Sequence, residues 1–394
     1  MRSIFYGLNV LTEQSSHARY AVVAENSLIQ AVIPQADMQR FMPAQCIEFP
    51  EHYFLAPGFI DLHIHGAKGS DVMDASPAAL AKINQALVAA GVTAYLATTM
   101  TADIPTITAA LFNVHQCMQA AQSGASILGV HLEGPFLAPA KAGAQRSESM
   151  ILPNIELIQQ WQRQVPDTIR VVTLAPEQPG ALELIQYLKQ QDIIPAIGHT
   201  NADYAQTMAA IAQGGCYGTH LFNAMRGLHH REPGVLGALL LSEQITAELI
   251  VDGVHLHPAI VQLAWKMKGA QQLVLVTDAM RAQCLGEGCY ELGGQSVHVT
   301  QEGIARLADR TLAGSTLTMS QALRNFMAFT QCSLLEAIKL TSENPAKLLG
   351  MFQQRGSIAP GKIADLVVLD EDYNVVTTVC AGKTVYDVQR ELHF

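Results

Sequence analysis

A closed (β/α)8 barrel with a small β-domain built from both chain ends is the fold class that the sequence predicts. Eight short apolar runs between residues 56 and 278 alternate with amphipathic stretches of helical length, a pattern typical of repeated βα units and a parallel sheet. Short alternating strands punctuated by Pro, Gly and Asn fill residues 1–55, and similar strands return after residue 356. We therefore expect a β-domain over 1–55 and 356–394, and a barrel over 56–355.

The predicted strands fall into three groups along the chain. The head segment predicts strands at 3–10, 20–24, 27–32 and 46–49. The barrel strands are expected at 59–65, 93–99, 126–133, 170–176, 193–199, 217–223, 247–254 and 272–278. The tail segment predicts strands at 366–369, 375–380 and 383–386.

Amphipathic segments predict the helices that connect these barrel strands. They lie at 77–90, 104–121, 154–164, 182–191, 202–213 and 258–268. After the eighth strand, Gly293 and Gly294 predict the turn of a β-hairpin over 286–301. Two more helices are expected at 318–330 and 333–340.

The composition restricts the classes of partner. The 24 basic and 34 acidic side chains give a net charge of −10, which argues against nucleic acid or an anionic membrane as the main partner. A small anion held by one local arginine remains compatible with that charge. The seven cysteines are scattered and form no CxxC pair, which favours reduced thiols. The N-terminal residues lack a secretory pattern and no apolar run approaches the ~20 residues of a membrane span, so we expect a cytoplasmic protein.

Polar residues end several of the predicted barrel strands, at the mouth where barrel enzymes carry their active sites. These residues are His63, His65, Glu133, His199, His220 and Asp278. His63 and His65 are two residues apart in a strand, so both imidazoles point to the same side, into the barrel. Buried polar groups need partners, and one divalent-metal centre would satisfy the whole set. Imidazole and carboxylate ligands favour zinc, with iron, manganese and cobalt as alternatives.

Other polar positions have two interpretations each. Asp278 is either a base that takes a proton from a metal-activated water or the N-cap of the next helix. Arg226 and Arg231 lie in a long loop over 225–234, where they either bind a phosphate or carboxylate or remain solvated. Residues 314–316 are expected to begin a helix whose free N–H groups meet polar ligand atoms. Isolated histidines are interpreted as ordinary structural residues, namely His17, His52, His115, His298 and His393.

The motifs around these positions resemble the N-acetylglucosamine-6-phosphate deacetylases of the amidohydrolase superfamily, over nearly the whole chain. The motifs are PGFIDLHIHG (57–66), GVHLEGPF (129–136), IGHTNAD (197–203), GTHLFNAM (218–225), REPG (231–234), DGVHLHP (252–258), VTDAM (276–280) and LAGST (312–316). HLEGPF, GHTNA and THLFNAM in this order make the resemblance specific. It implies a (β/α)8 barrel with a β-sandwich made from both termini, in agreement with the pattern above.

The resemblance also implies a metal centre and a set of substrate contacts. It puts the main metal on Glu133, His199 and His220, and His63 and His65 leave room for a second, so one or two divalent cations per subunit are expected. The phosphorylated amino sugar is implied to contact Ala144, Gln145, Asn223, Ala224, Arg231, His255, Leu312, Ala313 and Gly314. Arg231 resembles a residue that reaches into the neighbouring subunit's site, which implies a homodimer.

The implied reaction is hydrolysis of the acetamide of N-acetylglucosamine 6-phosphate to glucosamine 6-phosphate and acetate. A metal-activated water attacks the acetamide carbon, and Asp278, as acid and base, accepts its proton and then protonates the departing amine. The metal and a donor near Gln145 or His255 stabilise the oxyanion.

Gln145 departs from the family, which commonly has a histidine at this position of the segment KAGAQ. Glutamine can donate a hydrogen bond but cannot become cationic. N-acetylgalactosamine 6-phosphate is therefore the alternative substrate, and a solvent-facing residue on a lid is the alternative role for Gln145.

Two other functions fit parts of the pattern. A cyclic-amide hydrolase would share the HxH pair, but those enzymes carry a carboxylated lysine on the fourth barrel strand, where this chain reads RVVTLAPE. A non-catalytic barrel that binds amino-sugar phosphates would not need the metal ligands and the acid, all of which are present. The chain lacks GxxxxGK[ST] and GxGxxG, so no nucleotide-binding function is predicted.

Overall fold

An eight-stranded parallel sheet forms the centre of the protein in a computed structural model that describes residues 2–120 and 123–388. Its strands are Phe59–Ile64, Val92–Thr98, Ser126–Glu133, Ile169–Leu174, Ile194–Ile197, Tyr217–Gly218, Thr246–Leu249 and Leu273–Leu275. Each strand pairs in parallel with the next one along the chain. The predicted barrel is therefore confirmed.

The barrel closes through the segment that follows the eighth strand. The amide of Asp278 donates to the carbonyl oxygen of His63 at 2.8 Å, and the amide of His65 donates to the carbonyl oxygen of Ala279 at 2.9 Å. Because of this closure, Asp278 lies beside the HxH pair although more than 200 residues separate them in the chain.

Several barrel strands end earlier than predicted, and the backbone at the polar residues is the reason. His199, His220 and Asp278 have positive φ angles of 47°, 27° and 47°. A left-handed residue cannot continue a strand, so the strands stop before these side chains. The predicted ends at 199, 223 and 278 are wrong for this reason. The seventh strand, predicted to reach 254, ends at Leu249.

Seven helices lie between the barrel strands in the described part of the chain. They are Pro77–Val88, Ile104–Gln119, Ile155–Gln164, Ala181–Gln190, Tyr204–Gln213, Gly234–Leu241 and Pro258–Lys268. Six of these helices were predicted, and their observed ends lie within about two residues of the predicted ones. The second helix was predicted to end at residue 121, which lies outside the described residues. Gly234–Leu241 was not expected because its sequence, GVLGALLL, is apolar all round and shows no helical period. Only its first residue, Gly234, falls within the loop predicted over 225–234.

The segment after the eighth strand forms the predicted hairpin, with a third strand added to it. Its strands are Gly288–Leu292, Gln295–Val299 and Ala305–Arg306. The helices that follow are Met319–Thr330, Leu334–Ile338 and Asn344–Leu348, and a π-helical turn, Lys339–Glu343, joins the last two. Residues 314–316 do not begin a helix, so that prediction is wrong. The amide of Ser315 donates instead to the carbonyl oxygen of Asp278 at 2.8 Å.

Both chain ends contribute to the predicted β-sandwich. One sheet contains, in spatial order, Leu28–Pro34, Tyr20–Glu25, Arg2–Tyr6 and Gln45–Glu48. The other contains Lys383–Asp387, Val375–Cys380, Leu366–Leu369, Phe54–Pro57, Asn9–Leu11 and Ser16–His17. A small hairpin, Gly66–Ala67 with Ser70–Asp71, and 3₁₀ turns at Gln35–Phe41, Val72–Asp74, Pro139–Lys141, Ser147–Ser149 and Gly269–Gln271 complete the elements.

The two sheets of the sandwich share one apolar core. Phe5 and Val22 of the first sheet pack in the same cluster as Leu55, Leu366 and Val368 of the second. The strand Phe54–Pro57, just before the barrel, also pairs with Leu366–Leu369 from the end of the chain, as expected. The domain boundaries at 55 and 356 stay predictions, and residues 389–394 lie outside the described part of the chain. None of the helices in that part has the length and apolar character needed to cross a lipid bilayer.

Candidate active site

The six polar residues predicted at the barrel mouth lie together, and all of them except His63 line one cavity. They are His63, His65, Glu133, His199, His220 and Asp278, and each is at most 8% exposed. The cavity has a volume of about 200 Å³. So many buried polar groups in contact with one another are costly unless a common partner satisfies them.

Glu133 joins two groups of donor atoms within this cluster. Its Oε1 lies 3.2 Å from His199 Nε2 and 3.0 Å from His220 Nε2, and those two nitrogens are 3.1 Å apart. On the other side, Oε1 lies 3.5 Å from His63 Nε2 and Oε2 lies 3.4 Å from His65 Nε2. The same glutamate can therefore serve two adjacent cation positions.

Asp278 completes the second group. Its Oδ1 lies 3.1 Å from His65 Nε2 and 3.5 Å from His63 Nε2. Burial opposes ionisation of the carboxyl group, but the positive charge of the protonated His63 and His65 imidazoles, whose own pKa values are raised, outweighs burial and lowers the pKa of Asp278 to about 2. The interpretation of Asp278 as an N-cap is wrong, because the next helix begins at Met319 and is capped by Thr318.

The spacing of the donor atoms fits a bound divalent cation. Four ligands at about 2.0–2.1 Å from zinc form a tetrahedron with edges of ~3.3–3.4 Å. The observed separations of 3.0–3.5 Å bracket that value. His63 Nε2 is also buried with no hydrogen-bond partner among the described residues, although it faces two carboxylates. An orphaned nitrogen of this kind is typical of a metal ligand.

Two of the histidines in the cluster have a hydrogen-bond partner at Nδ1, the ring nitrogen that points away from the other donor atoms. His199 Nδ1 lies 2.8 Å from the carbonyl oxygen of Lys141, and His63 Nδ1 lies 3.0 Å from Glu248 Oε2. Both oxygens can only accept, so Nδ1 carries a proton and Nε2 is the nitrogen that can offer its lone pair to a metal. Metal-binding histidines are usually oriented in this way.

Most of the predicted substrate contacts line the same cavity. Those that do are Ala144, Gln145, Asn223, Ala224, His255, Leu312 and Gly314. Ala313 is not part of this wall, because its side chain is buried in an apolar cluster with Met280. Arg231 is exposed, and its Nη1 lies 2.8 Å from His230 Nε2. Within one chain, seven of the nine predicted substrate contacts thus line the cavity, whereas Ala313 and Arg231 lie outside it.

Gln145 is held in one orientation at the cavity wall. Its Oε1 accepts from the amide of Thr101 at 2.7 Å, and its Nε2 donates to Glu133 Oε2 at 2.7 Å. Only 5% of the residue is exposed. The alternative role as a solvent-facing lid residue is therefore wrong.

His255 is fixed by a carboxylate from its own loop. Its Nδ1 lies 2.6 Å from Asp252 Oδ2, and Asp252 also accepts from the amide of His255 at 2.7 Å. These contacts leave Nε2 of His255 for an atom of the substrate.

Several polar residues beneath the cluster were not predicted from the sequence. Asp61 accepts from the hydroxyl of Thr277 at 2.6 Å and from the amide of His63 at 3.2 Å. Glu248 supports His63, as described above. Burial lowers the pKa of His131 to about 4, so that this histidine is neutral. The signal that could have found Asp61 and Glu248 is a carboxylate within an otherwise apolar strand.

Four further wall residues were also missed, because their types carry no chemical signal. They are Met100, Gly143, Leu292 and Thr311. The isolated histidines His17, His52, His115 and His298 do not line the cavity, and His393 lies outside the described residues.

Comparisons with known proteins agree with this geometry. The model of the Amidohydrolase family matches residues 54–385. The chain belongs to the amidohydrolase family. This amidohydrolase is 45% identical over 343 residues to an N-acetylglucosamine-6-phosphate deacetylase of Bacillus subtilis (strain 168), covering 86% of each chain. It is 42% identical over 321 residues to an N-acetylgalactosamine-6-phosphate deacetylase of Escherichia coli O157:H7, covering 82% of this chain and 85% of that one.

A solved structure extends the similarity to the whole fold. The crystal structure of an N-acetylglucosamine-6-phosphate deacetylase from Pasteurella multocida superposes on this amidohydrolase with a TM-score of 0.92 at 30% identity. The match covers 98% of this chain and 99% of the other. The sandwich and the barrel thus both belong to the shared architecture.

Proposed function

We propose that this amidohydrolase hydrolyses the acetamide of N-acetylglucosamine 6-phosphate, giving glucosamine 6-phosphate and acetate. The observation that carries the proposal is one cavity that combines a cluster of metal-binding side chains with the side chains expected to bind the sugar. N-acetylgalactosamine 6-phosphate is the second candidate substrate, because a relative with that specificity is 42% identical. Comparing kcat/KM for the two 6-phosphates tests the choice, and we expect the larger value for the gluco epimer. The cytoplasmic location stays a prediction.

The cluster suits one or two divalent cations per subunit, with zinc the first candidate and iron, manganese and cobalt the alternatives. Glu133, His199 and His220 would hold the main cation, and His63, His65, Glu133 and Asp278 a second. When bound, such a cation supplies Lewis-acid activation of water and of the amide carbonyl.

Asp278 is the residue of this chain that moves the proton. Its carboxylate lines the cavity beside the metal-binding histidines, where it accepts a proton from the water as the water oxygen bonds to the acetamide carbon. The carbon–nitrogen bond then breaks as Asp278 returns that proton to the sugar nitrogen. One carboxylate thereby serves as base and then as acid, and no net proton is gained or lost.

The cavity wall binds the rest of the substrate. Asn223, Ala224, His255, Leu312 and Gly314 line the cavity, where they are positioned to meet the sugar and its phosphate. A cyclic-amide hydrolase is a poorer explanation, because the fourth barrel strand, Ile169–Leu174, contains no lysine.

Arg231 is expected to recognise the phosphate from a neighbouring subunit, since its exposed position lies outside its own chain's cavity. Arg231→Ala should lower kcat/KM for the 6-phosphate by ~10–100-fold, the scale of a lost charge-assisted contact. Steady-state kinetics on N-acetylglucosamine with and without the phosphate measure this effect. Arg226→Ala, which removes an arginine of the same loop that pairs with Glu232 at 3.5 Å, is the control. Equal rates on both sugars in the wild type would contradict phosphate recognition.

Mixing two impaired variants tests whether the site is shared between subunits of a homodimer. A dimer of one Arg231→Ala chain and one Asp278→Asn chain contains one intact site if Arg231 acts across the interface. We expect about half of the wild-type activity per mixed dimer, and about a quarter for a random mixture in which half of the dimers are mixed. No recovery after subunit exchange would place Arg231 in its own chain's site.

Gln145→His is expected to change the preference between the gluco and galacto 6-phosphates. The variant loses an amide that holds Thr101 and Glu133 together and gains an imidazole that can become cationic near the oxyanion. Kinetics with both epimers and both proteins give the ratio of kcat/KM, which measures specificity. Gln295→His is the control, because Gln295 holds the carbonyl oxygen of Ala144 at 2.7 Å without lining the cavity. An unchanged ratio with unchanged kcat would exclude a role for Gln145 in specificity.

A further inference from the structure

Glu248 is a fully buried carboxylate in the interior of the barrel. It belongs to the seventh strand, Thr246–Leu249, between Ala247 and Leu249, which are fully buried as well. Placing an ionised carboxylate in such surroundings is costly unless specific partners compensate for the lost water. Its contacts therefore indicate what the residue does.

One oxygen of Glu248 contacts a residue from each of the two groups of metal-binding side chains. Its Oε2 lies 3.0 Å from Nδ1 of His63 and accepts from the amide of His220 at 2.8 Å. His63 belongs to the donor group that contains His65 and Asp278, whereas His220 belongs to the group that contains His199. The two groups are thus tied to each other through a residue that ligates neither cation.

The two contacts have different consequences. At His63, the carboxylate accepts a hydrogen bond from Nδ1, so Nε2, 3.5 Å from both Glu133 Oε1 and Asp278 Oδ1, is the nitrogen that faces the cation position. At His220, it binds a main-chain amide whose residue has a φ of 27°, an unfavourable conformation that needs support. The side chain of His220 would keep its contact with Glu133 without Glu248, whereas Nδ1 of His63 would lose its hydrogen bond to Glu248.

A third cation position formed by Glu248, His63 and His131 does not explain the arrangement. His131 Nδ1 lies 3.0 Å from the carbonyl oxygen of Leu62, and its Nε2 lies 2.7 Å from the hydroxyl of Thr173. Both ring nitrogens are therefore engaged, and the remaining pair, Glu248 and His63, is too small a donor set for a cation.

We propose that Glu248 is a positioning residue that controls binding of the second cation, the one held by His63, His65, Glu133 and Asp278. The inference rests on the proposed function, in which divalent cations occupy the cluster. Glu248 orients His63 directly, so its loss should affect this position more than the position at Glu133, His199 and His220.

Titration of the metal-free protein with Co²⁺, followed by calorimetry and by the visible absorption of bound Co²⁺, tests this proposal without reference to activity. We expect two bound ions in the wild type. In Glu248→Gln, which keeps the shape and loses the charge, one ion should bind as before and the second ~10–100-fold more weakly, the usual effect of removing an outer carboxylate. Equal weakening of both ions, no weakening, or a single ion in the wild type would overturn the proposal.

Controls separate positioning from general stability. Asp365→Asn removes a buried carboxylate that pairs with Arg355 at 3.3 Å in the sandwich, far from the cluster, and should leave both Co²⁺ affinities unchanged. In a double-mutant cycle, adding Glu248→Gln to His63→Ala should weaken the second ion no further, because Glu248 acts through His63. If the Gln variant does not fold, Glu248→Asp replaces it, with a smaller selective loss expected and equal affinities contradicting the proposal.

The same samples distinguish this proposal from the proposed function. Wild-type protein that binds two ions and releases acetate, together with a Glu248→Gln variant that binds both ions normally, would refute the role of Glu248 alone. Wild-type protein that binds no divalent ion would refute the metal-dependent deacetylation.

Discussion

Asp278→Asn is expected to lower kcat by ~10²–10⁴-fold, the usual cost of losing a general base. The substitution keeps the shape of the side chain and one oxygen near His65, but the amide cannot take a proton from the attacking water. At least the cation at Glu133, His199 and His220 should remain, because Asp278 is not part of that group.

Steady-state rates at saturating Zn²⁺, with the metal content measured on the same samples, check this result. Asp372→Asn is a suitable control, because Asp372 is an exposed aspartate between two strands of the sandwich and does not line the cavity. A fall in kcat of less than ~10-fold would mean that another residue is the base.

Glu133→Ala is expected to remove both metal and activity. Glu133 is the one described residue that contributes to both donor groups, and it also accepts a hydrogen bond from Gln145. Its loss should weaken cation binding by more than the ~10–100-fold that loss of an outer hydrogen bond costs. The metal content should consequently fall well below one ion per chain.

Elemental analysis of the purified variant, together with its rate of acetate release, measures this effect. Glu148→Ala provides a matched control, since Glu148 lies in the neighbouring loop with a side chain that is 64% exposed. Full metal content and activity in Glu133→Ala would contradict the account of the cluster.

The sequence predicted most of the metal cluster because the relevant rules are local or follow from the fold class. His63 and His65 share a side because strand residues alternate, and the barrel brings the ends of its strands to one mouth. The left-handed backbone at His199, His220 and Asp278 could not be predicted, since it depends on contacts with other strands. His199, for example, is held by the carbonyl oxygen of Lys141, 58 residues away.

Other features were not predicted from the sequence, because their partners are distant in the chain or because their hydrophobic pattern is not periodic. Glu248 lies 185 residues from His63, so nothing near it in the sequence reveals its role. The helix Gly234–Leu241 is buried on nearly all sides and therefore lacks an amphipathic pattern. Ala313 was predicted to contact the substrate from the LAGST motif, but a motif does not show whether a small side chain faces the cavity or the core.

Acetate release from N-acetylglucosamine 6-phosphate, measured before and after removal of divalent metal, tests the central claim most directly. We expect rapid release by the metal-loaded protein, loss of that activity after chelation, and its return when Zn²⁺, Mn²⁺, Co²⁺ or Fe²⁺ is added back. The amino sugar 6-phosphate should appear in equal amount with acetate. Release that continues unchanged in protein shown by elemental analysis to be free of metal would contradict the account, as would no release from either hexosamine 6-phosphate by the metal-loaded protein.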